Sequence, residues 1–209
     1  MADIVDNLFQ VCILSICTGI VTVKALRSKK REWMLLFMCY SLYMFSTLFY
    51  LLYKAYYIGE PSTHTSEIGW YVSYTSLVLL MNNVRDKGMD KVRYKVLWLI
   101  PVFTFGMGAF FVYISEGDYL SNIVAAVLMA VLIINALKGA IYCGREKKNY
   151  PEKLLYRSVL IFCTMEYLSW IASCIWFNAD FTNPYYWFDM LITLSFVLFI
   201  PSVERVVER

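Results

Sequence analysis

A glutamate lies in the middle of a long apolar stretch of the sequence. Glu166 is near the centre of the stretch 154–177, and Ser169, Trp170 and Ser173 follow it at helical spacings. At the centre of a membrane a charged side chain costs about 2.5–3.5 kcal/mol, so one that is retained usually faces protein or water. We expect Glu166 to be a ligand counter-ion or proton-coupled switch, or else a protonated group that hydrogen-bonds between helices.

Two further acidic residues lie near the ends of other apolar stretches. Asp189 has Tyr185 and Thr193 one helical turn away on either side, and Glu67 is followed two turns later by Tyr74. An acid near a membrane surface is often simply solvated. Each of the two is therefore either a surface group or part of a polar site that faces the interior of a helix bundle.

An aromatic stripe with one lysine follows a single helical face in the second apolar stretch. The stripe consists of Tyr43, Thr47, Tyr50, Lys54 and Tyr57. It is either a packing surface, with Lys54 extended to the membrane surface, or one wall of an outward-open cavity in which Lys54 faces the three acids. Such a cavity would suit an amphipathic or zwitterionic small-molecule ligand. The predicted ligand-binding residues are Glu166, Asp189, Glu67, Lys54, Tyr50, Tyr74 and Trp170.

The residues that most catalytic chemistries need are scarce. His64 is the single histidine, whereas zinc hydrolases need several histidines and serine or cysteine nucleophiles usually need a neighbouring base. The six cysteines lie within or at the ends of apolar stretches without Cys-x-x-Cys spacing, so we expect neither a metal site nor a disulfide. We expect no cofactor and no catalytic residue, with a lipid-modifying enzyme that uses Glu166 and Asp189 as the alternative.

The composition is that of a membrane protein. Of the 209 residues, 60% are hydrophobic and 17% are charged, and the mean hydropathy is +0.56. A soluble domain of this size needs more charged surface, and this excludes a soluble enzyme and a nucleic-acid-binding domain. Apolar runs of the length that a membrane requires occur at 8–26, 33–56, 68–84, 96–114, 120–142, 154–177 and 184–203. The sequence therefore predicts an all-α, multi-pass domain of seven transmembrane helices.

Basic residues are confined to one set of connections. Of the 19 Lys and Arg residues, 18 lie in or beside the connections after spans 1, 3 and 5 or after span 7, and Lys54 is the exception. The opposite connections are acidic, and so is the N-terminal flank with Asp3 and Asp6. By the positive-inside rule, the N-terminus is predicted to be outside and the C-terminus cytoplasmic.

The order of helices and loops is repeated within the chain. Spans 1–3 and 5–7 share the order of helix, basic connection, aromatic helix, outer loop and helix, which divides the chain into units at 8–84 and 120–203. The helix at 96–114 links them, giving a 3+1+3 parallel repeat. This layout is similar to the SWEET and PQ-loop transporter families, although the Pro-Gln pair is absent. The segment Glu67-Ile-Gly-Trp-Tyr-Val-Ser-Tyr74 resembles the seven-helix sensor modules that precede diguanylate cyclases or histidine kinases in bacteria.

Three functions follow as expectations. The first is a receptor-like sensor of a small external or membrane-dissolved ligand, which the outward-facing polar and aromatic stripes, the scarcity of proline in the spans and the predicted orientation favour. The second is a small-solute transporter with an intramembrane carboxylate, and the third is the lipid-modifying enzyme. The basic face should contact anionic lipid or a cytoplasmic signalling partner, and no nucleic acid. The absence of Asn-x-Ser/Thr sequons favours a bacterial cytoplasmic membrane.

Overall fold

The structure, a computed structural model, describes residues 2–57, 64–92, 95–114, 119–145 and 150–208. Across these ranges the chain forms seven α-helices: α1 (Ala2–Ser28), α2 (Arg31–Tyr56), α3 (His64–Asn83), α4 (Leu99–Ile114), α5 (Tyr119–Arg145), α6 (Glu152–Ile175) and α7 (Pro184–Val207). Two short 3₁₀ helices, Lys87–Lys91 and Lys95–Trp98, connect α3 to α4. The predicted all-α class and the predicted seven helices are thus confirmed for the described part of the chain.

Within that part, five helices are long and apolar enough to cross a membrane, namely α1, α2, α5, α6 and α7. They identify the chain as a membrane-embedded protein. The other two differ from the predicted spans for separate reasons. α3 has 20 residues but is rich in Ser, Thr and Asn, and α4 has 16 residues and is only about 24 Å long. α4 starts later than predicted because Pro101 suits a first helical turn, where its missing N–H has no partner to lose.

Six of the helices form a closed ring. Each helix contacts the next in the order α1, α2, α3, α5, α6, α7, and α7 contacts α1 to close the ring. α4 packs against α5 behind this ring, and its Phe103 and Phe111 rings reach Tyr167 and Trp170 of α6 at centroid distances of 5.3 and 5.7 Å. The ring leaves an interior that α1, α2, α3, α5, α6 and α7 all face.

The basic connections meet at one end of the ring, which we call the basic end. There Lys24 pairs with Glu204, and the Lys30 ammonium donates a hydrogen bond of 2.5 Å to the carbonyl of Val207. Asn83 at the end of α3 donates to Glu32 at the start of α2 at 2.9 Å. These contacts place the ends of α1, α3 and α7 and the start of α2 at the basic end, so α2 runs antiparallel to the other three helices. α7 extends to Val207, beyond the predicted end of the seventh span at residue 203.

Six buried aromatic residues fill the middle of the ring, and we call them the aromatic core. The distances between ring centroids are 4.7 Å for Tyr43 and Phe196, 5.3 Å for Phe162 and Phe196, and 5.5 Å for Tyr74 and Phe162. Edge-to-face pairs of this kind each add about 0.5–1.5 kcal/mol to the gain from burial. The aromatic core consists of Tyr40, Tyr43, Tyr74, Phe162, Phe196 and Phe199. It joins α2, α3, α6 and α7 across the interior of the ring.

The connection between α6 and α7 is ordered by side-chain hydrogen bonds. The Asp180 carboxylate accepts from the Thr182 hydroxyl and amide and from Asn178, and these bonds hold the pKa of Asp180 below its ordinary value. The Asn183 side chain accepts from the Tyr185 amide at 2.9 Å and so caps α7. This connection fixes where α7 begins.

A glycine contact between α5 and α6 gives a test of the packing. A Cβ atom at Gly139 would lie 2.4 Å from the ring of Tyr156, which is buried. We expect Gly139→Ala to lower the melting temperature in detergent, because overpacking costs about 1–3 kcal/mol and exceeds the gain of about 1 kcal/mol in helix propensity. Gly19→Ala is the control, because nothing lies within 4 Å of that position. Equal or higher stability of Gly139→Ala would contradict this packing.

Candidate functional site

A cavity of about 330 Å³ lies in the half of the bundle opposite the basic end. All seven helices contribute to its wall, including α4 through Phe111. The wall carries three acidic residues, Glu67, Glu166 and Asp189, among tyrosine and tryptophan rings. A concave cavity with aromatic walls and a few convergent polar groups is the usual form of a small-molecule site.

The structure brings six of the seven predicted site residues to this cavity: Glu166, Asp189, Glu67, Tyr50, Tyr74 and Trp170. Lys54 is not part of the wall. Its ammonium pairs with Asp3 of α1 and lies 4.8 Å from the centroid of the Tyr50 ring. The expected contact of Lys54 with an acid of the cavity is therefore replaced by a contact with the N-terminal turn of α1.

Glu166 occupies the inner wall of the cavity. Only 3% of the residue is exposed, and the Tyr74 hydroxyl donates a hydrogen bond of 2.6 Å to its carboxylate. Ser169, Trp170 and Ser173 also line the cavity, as their helical spacing from Glu166 predicts. The Tyr74 bond joins α3 to α6 across the ring.

Asp189 belongs to a buried hydrogen-bond network between α1, α2 and α7. The Gln10 amide donates to the Thr193 hydroxyl at 3.1 Å and to the Asp189 carboxylate at 3.4 Å. The Gln10 carbonyl oxygen accepts from the Thr47 hydroxyl at 2.5 Å. The sequence analysis missed Gln10, although an amide within an apolar helix, with Asn7 one turn before it, was a usable signal.

Asp6 is a second residue that the sequence analysis missed. It was assigned to the acidic flank before the first span, whereas α1 begins at Ala2 and therefore carries Asp6 into the bundle. The side chain is fully buried and lies beside Asp189. Neither carboxylate oxygen of Asp6 has a hydrogen-bond donor among the described residues.

Glu67 and its neighbours form the part of the wall between α3 and α5. The Ser121 hydroxyl donates to the Glu67 carboxylate, and the Tyr71 hydroxyl donates to the carbonyl of Ser121 at 3.1 Å. Trp70 also lines the cavity, and its buried indole N–H has no acceptor in the described part of the chain. A buried donor without an acceptor is rare, and one on the wall of a cavity can donate to water or to a ligand there.

The predicted stripe on α2 divides between packing and the cavity. Tyr43 and Thr47 are buried in the bundle, but Tyr43 also lines the cavity, as Tyr50 does. Tyr57 is exposed and stacks on Tyr53 with a centroid distance of 4.8 Å. Both interpretations of the stripe are thus needed, and at Tyr43 packing and the cavity wall coincide.

A second cleft of about 520 Å³ lies at the basic end between the start of α6 and the end of α7. Lys153, Arg157, Arg205 and Glu208 contribute to its wall. This is part of the surface for which anionic lipid or a cytoplasmic partner was expected, and that expectation stays a prediction.

Comparison with protein-family models, with curated proteins and with solved structures found no match for this chain. The interpretation of the site therefore depends on the geometry of the cavity and on the chemistry of its side chains. The resemblance to bacterial sensor modules stays a prediction.

The buried amide network gives a prediction for stability. Gln10→Ala removes three hydrogen bonds and leaves Thr47, Asp189 and Thr193 without this partner. We expect a loss of about 1–2 kcal/mol, because hydrogen bonds between membrane helices contribute on this scale. Thr164→Ala is the control, since its exposed hydroxyl bonds only to its own helix. Reversible unfolding in mixed micelles measures both, and equal stability of the two variants would refute the network.

Proposed function

We propose that the protein is a receptor-like membrane protein that binds a small ligand in the cavity. The observation that carries the proposal is that all seven helices contribute to one wall. A ligand in this cavity would contact every helix at once, and its binding energy would bias how the helices pack against each other.

The charge distribution supports a ligand that arrives from outside. In the proposed topology all seven helices cross the membrane and the basic end is cytoplasmic, which places the cavity in the outer half of the bilayer. The short α4 and the more polar α3 are counted as spans because they complete the wall of the cavity. The aromatic core supports the same direction of access, since Tyr43 and Tyr74 close the inner side of the cavity.

The helices that carry the two central acids also reach the basic end. α6 carries Glu166 and begins beside the second cleft, and α7 carries Asp189 and ends there. The Lys24–Glu204 ion pair ties the end of α7 to α1. A movement of α6 or α7 caused by a ligand would therefore change the cytoplasmic surface, which is what a sensor has to do.

A transporter is the second candidate, and the order of the ring favours it. The units α1–α3 and α5–α7 form successive halves of the ring, with α4 outside, as a 3+1+3 parallel repeat requires. The cavity then lies between the two units, where transporters built from repeats hold their substrates. Uptake of a bound compound into proteoliposomes would identify transport, and its conversion in a lipid mixture would identify the enzyme alternative.

The proposed site is tested with a thermal-shift screen in detergent. The panel contains amino acids, small amines, sugars, short peptides and lysolipids, and a compound that binds only the folded protein raises its melting temperature. We expect one class to stabilise the wild type and to lose its effect in Glu166→Gln, because that carboxylate lines the cavity. Glu32→Gln is the matched control, since Glu32 lies at the basic end and accepts a bond from Asn83.

The screen has three informative outcomes. A shift that is present in the wild type and in Glu32→Gln but absent in Glu166→Gln supports a ligand site in the cavity. An equal shift in all three proteins would show that the ligand does not bind to the Glu166 carboxylate. The absence of any shift from the whole panel would contradict the proposed function.

A further inference from the structure

We propose that the ligand of the cavity is a small organic cation, held by the carboxylates of Glu166 and Asp189 and by the faces of the aromatic rings around them. This inference rests on the proposed function, because it names the chemical class that the same cavity would bind. It replaces the zwitterionic ligand that the sequence suggested.

The first argument is the charge of the wall. The lining residues in the described part of the chain include three acids, Glu67, Glu166 and Asp189, and neither lysine nor arginine. Lys54 was the group expected to bind the negative end of a zwitterion, and it pairs with Asp3 instead. A ligand carboxylate would thus meet no side chain of opposite charge on the wall, whereas an ammonium group would meet three.

The second argument is a buried carboxyl behind the wall. Asp6 is fully buried beside Asp189, and its oxygens have no donor among the described residues. Burying two adjacent carboxylates costs free energy of folding unless a proton or a cation neutralises their charge. A cation at Asp189 would offset the charge of both residues at once.

The third argument is the composition of the wall around Glu166. The rings of Tyr43, Trp70 and Tyr74 line the cavity, with centroids 6.1 Å apart for Tyr43 and Trp70 and 6.3 Å apart for Tyr43 and Tyr74. The Tyr74 hydroxyl donates to Glu166, so this hydroxyl is already engaged and the ring of Tyr74 is the part of the residue left to contact a ligand. Several aromatic faces beside a carboxylate are the arrangement that binds alkylammonium groups.

Size limits the class further. A volume of about 330 Å³ is at the lower end of the range of small-molecule pockets, about 300–1,000 Å³. The unsatisfied indole N–H of Trp70 adds a donor for one acceptor atom of the ligand. A compact ammonium compound with a hydroxyl or ether oxygen meets both conditions.

The competing explanation is that protons, and not a ligand, neutralise the acids. In that case the cavity is neutral and polar, and it would bind an uncharged compound as well as a cation of the same shape. The two explanations therefore differ in the discrimination between a cation and its uncharged isostere.

The experiment measures calorimetric binding of choline and of its uncharged isostere 3,3-dimethyl-1-butanol to the full chain in detergent. Benzyltrimethylammonium and acetate extend the series to a larger cation and to an anion. We expect both cations to bind at least about tenfold more tightly than the alcohol and acetate not to bind. Glu166→Gln and Asp189→Asn should each reduce this discrimination, whereas Glu32→Gln should retain it.

Each outcome decides between the explanations. Equal binding of choline and its isostere, or preferential binding of acetate, would overturn the inference while the proposed ligand site stands. If no compound in this series binds, the inference of a cationic ligand is overturned. If the broader thermal-shift screen fails as well, the proposed function is also overturned. If a variant does not fold, the comparison of the two isosteres on the wild type still gives the answer.

Discussion

Carboxyl groups inside an apolar bundle constrain the rest of this structure. Glu166 and Asp189 are both buried, and in a membrane each must find partners within the protein. Glu166 has Tyr74 from α3, and Asp189 has Gln10 from α1. The helices that carry these partners must therefore stay in contact with α6 and α7, and the closed ring of six helices satisfies that requirement.

The same constraint explains how α3 is accommodated in the ring. Its polar side chains lower its hydropathy, but they bond to neighbouring helices. Ser73 donates to the carbonyl of Cys39 on α2 at 2.8 Å, Tyr74 donates to Glu166, and Tyr71 donates to the carbonyl of Ser121 on α5. A helix that is too polar to face lipid on all sides is suited to a position where its polar side faces protein.

The sequence predicts the parts of the site that depend on local patterns. The central position of Glu166 in an apolar stretch, and the helical spacing of Trp170 from it, are sufficient to locate one wall of the cavity. Asp6 was missed because the first span was started at residue 8, where the charged flank ends, whereas α1 begins at Ala2. Gln10 lies within that span and was missed because its partners, Thr47, Asp189 and Thr193, are distant in sequence. The pairing of Lys54 with Asp3 joins residues that are distant in sequence, and no local pattern identifies such a partner.

The aromatic core separates the two leading functions in physical terms. Transport would require a path through it, and such a path would break the hydrogen bond of 2.5 Å from the Tyr40 hydroxyl to the carbonyl of Phe196 and separate the Phe162 and Phe196 rings. A receptor needs no path, because a shift of α6 or α7 that preserves these contacts still reaches the basic end. Closely packed cores resist gradual deformation and change between discrete arrangements. A sealed aromatic core beneath an accessible cavity is therefore better suited to transmitting a ligand's presence than to releasing the ligand on the other side.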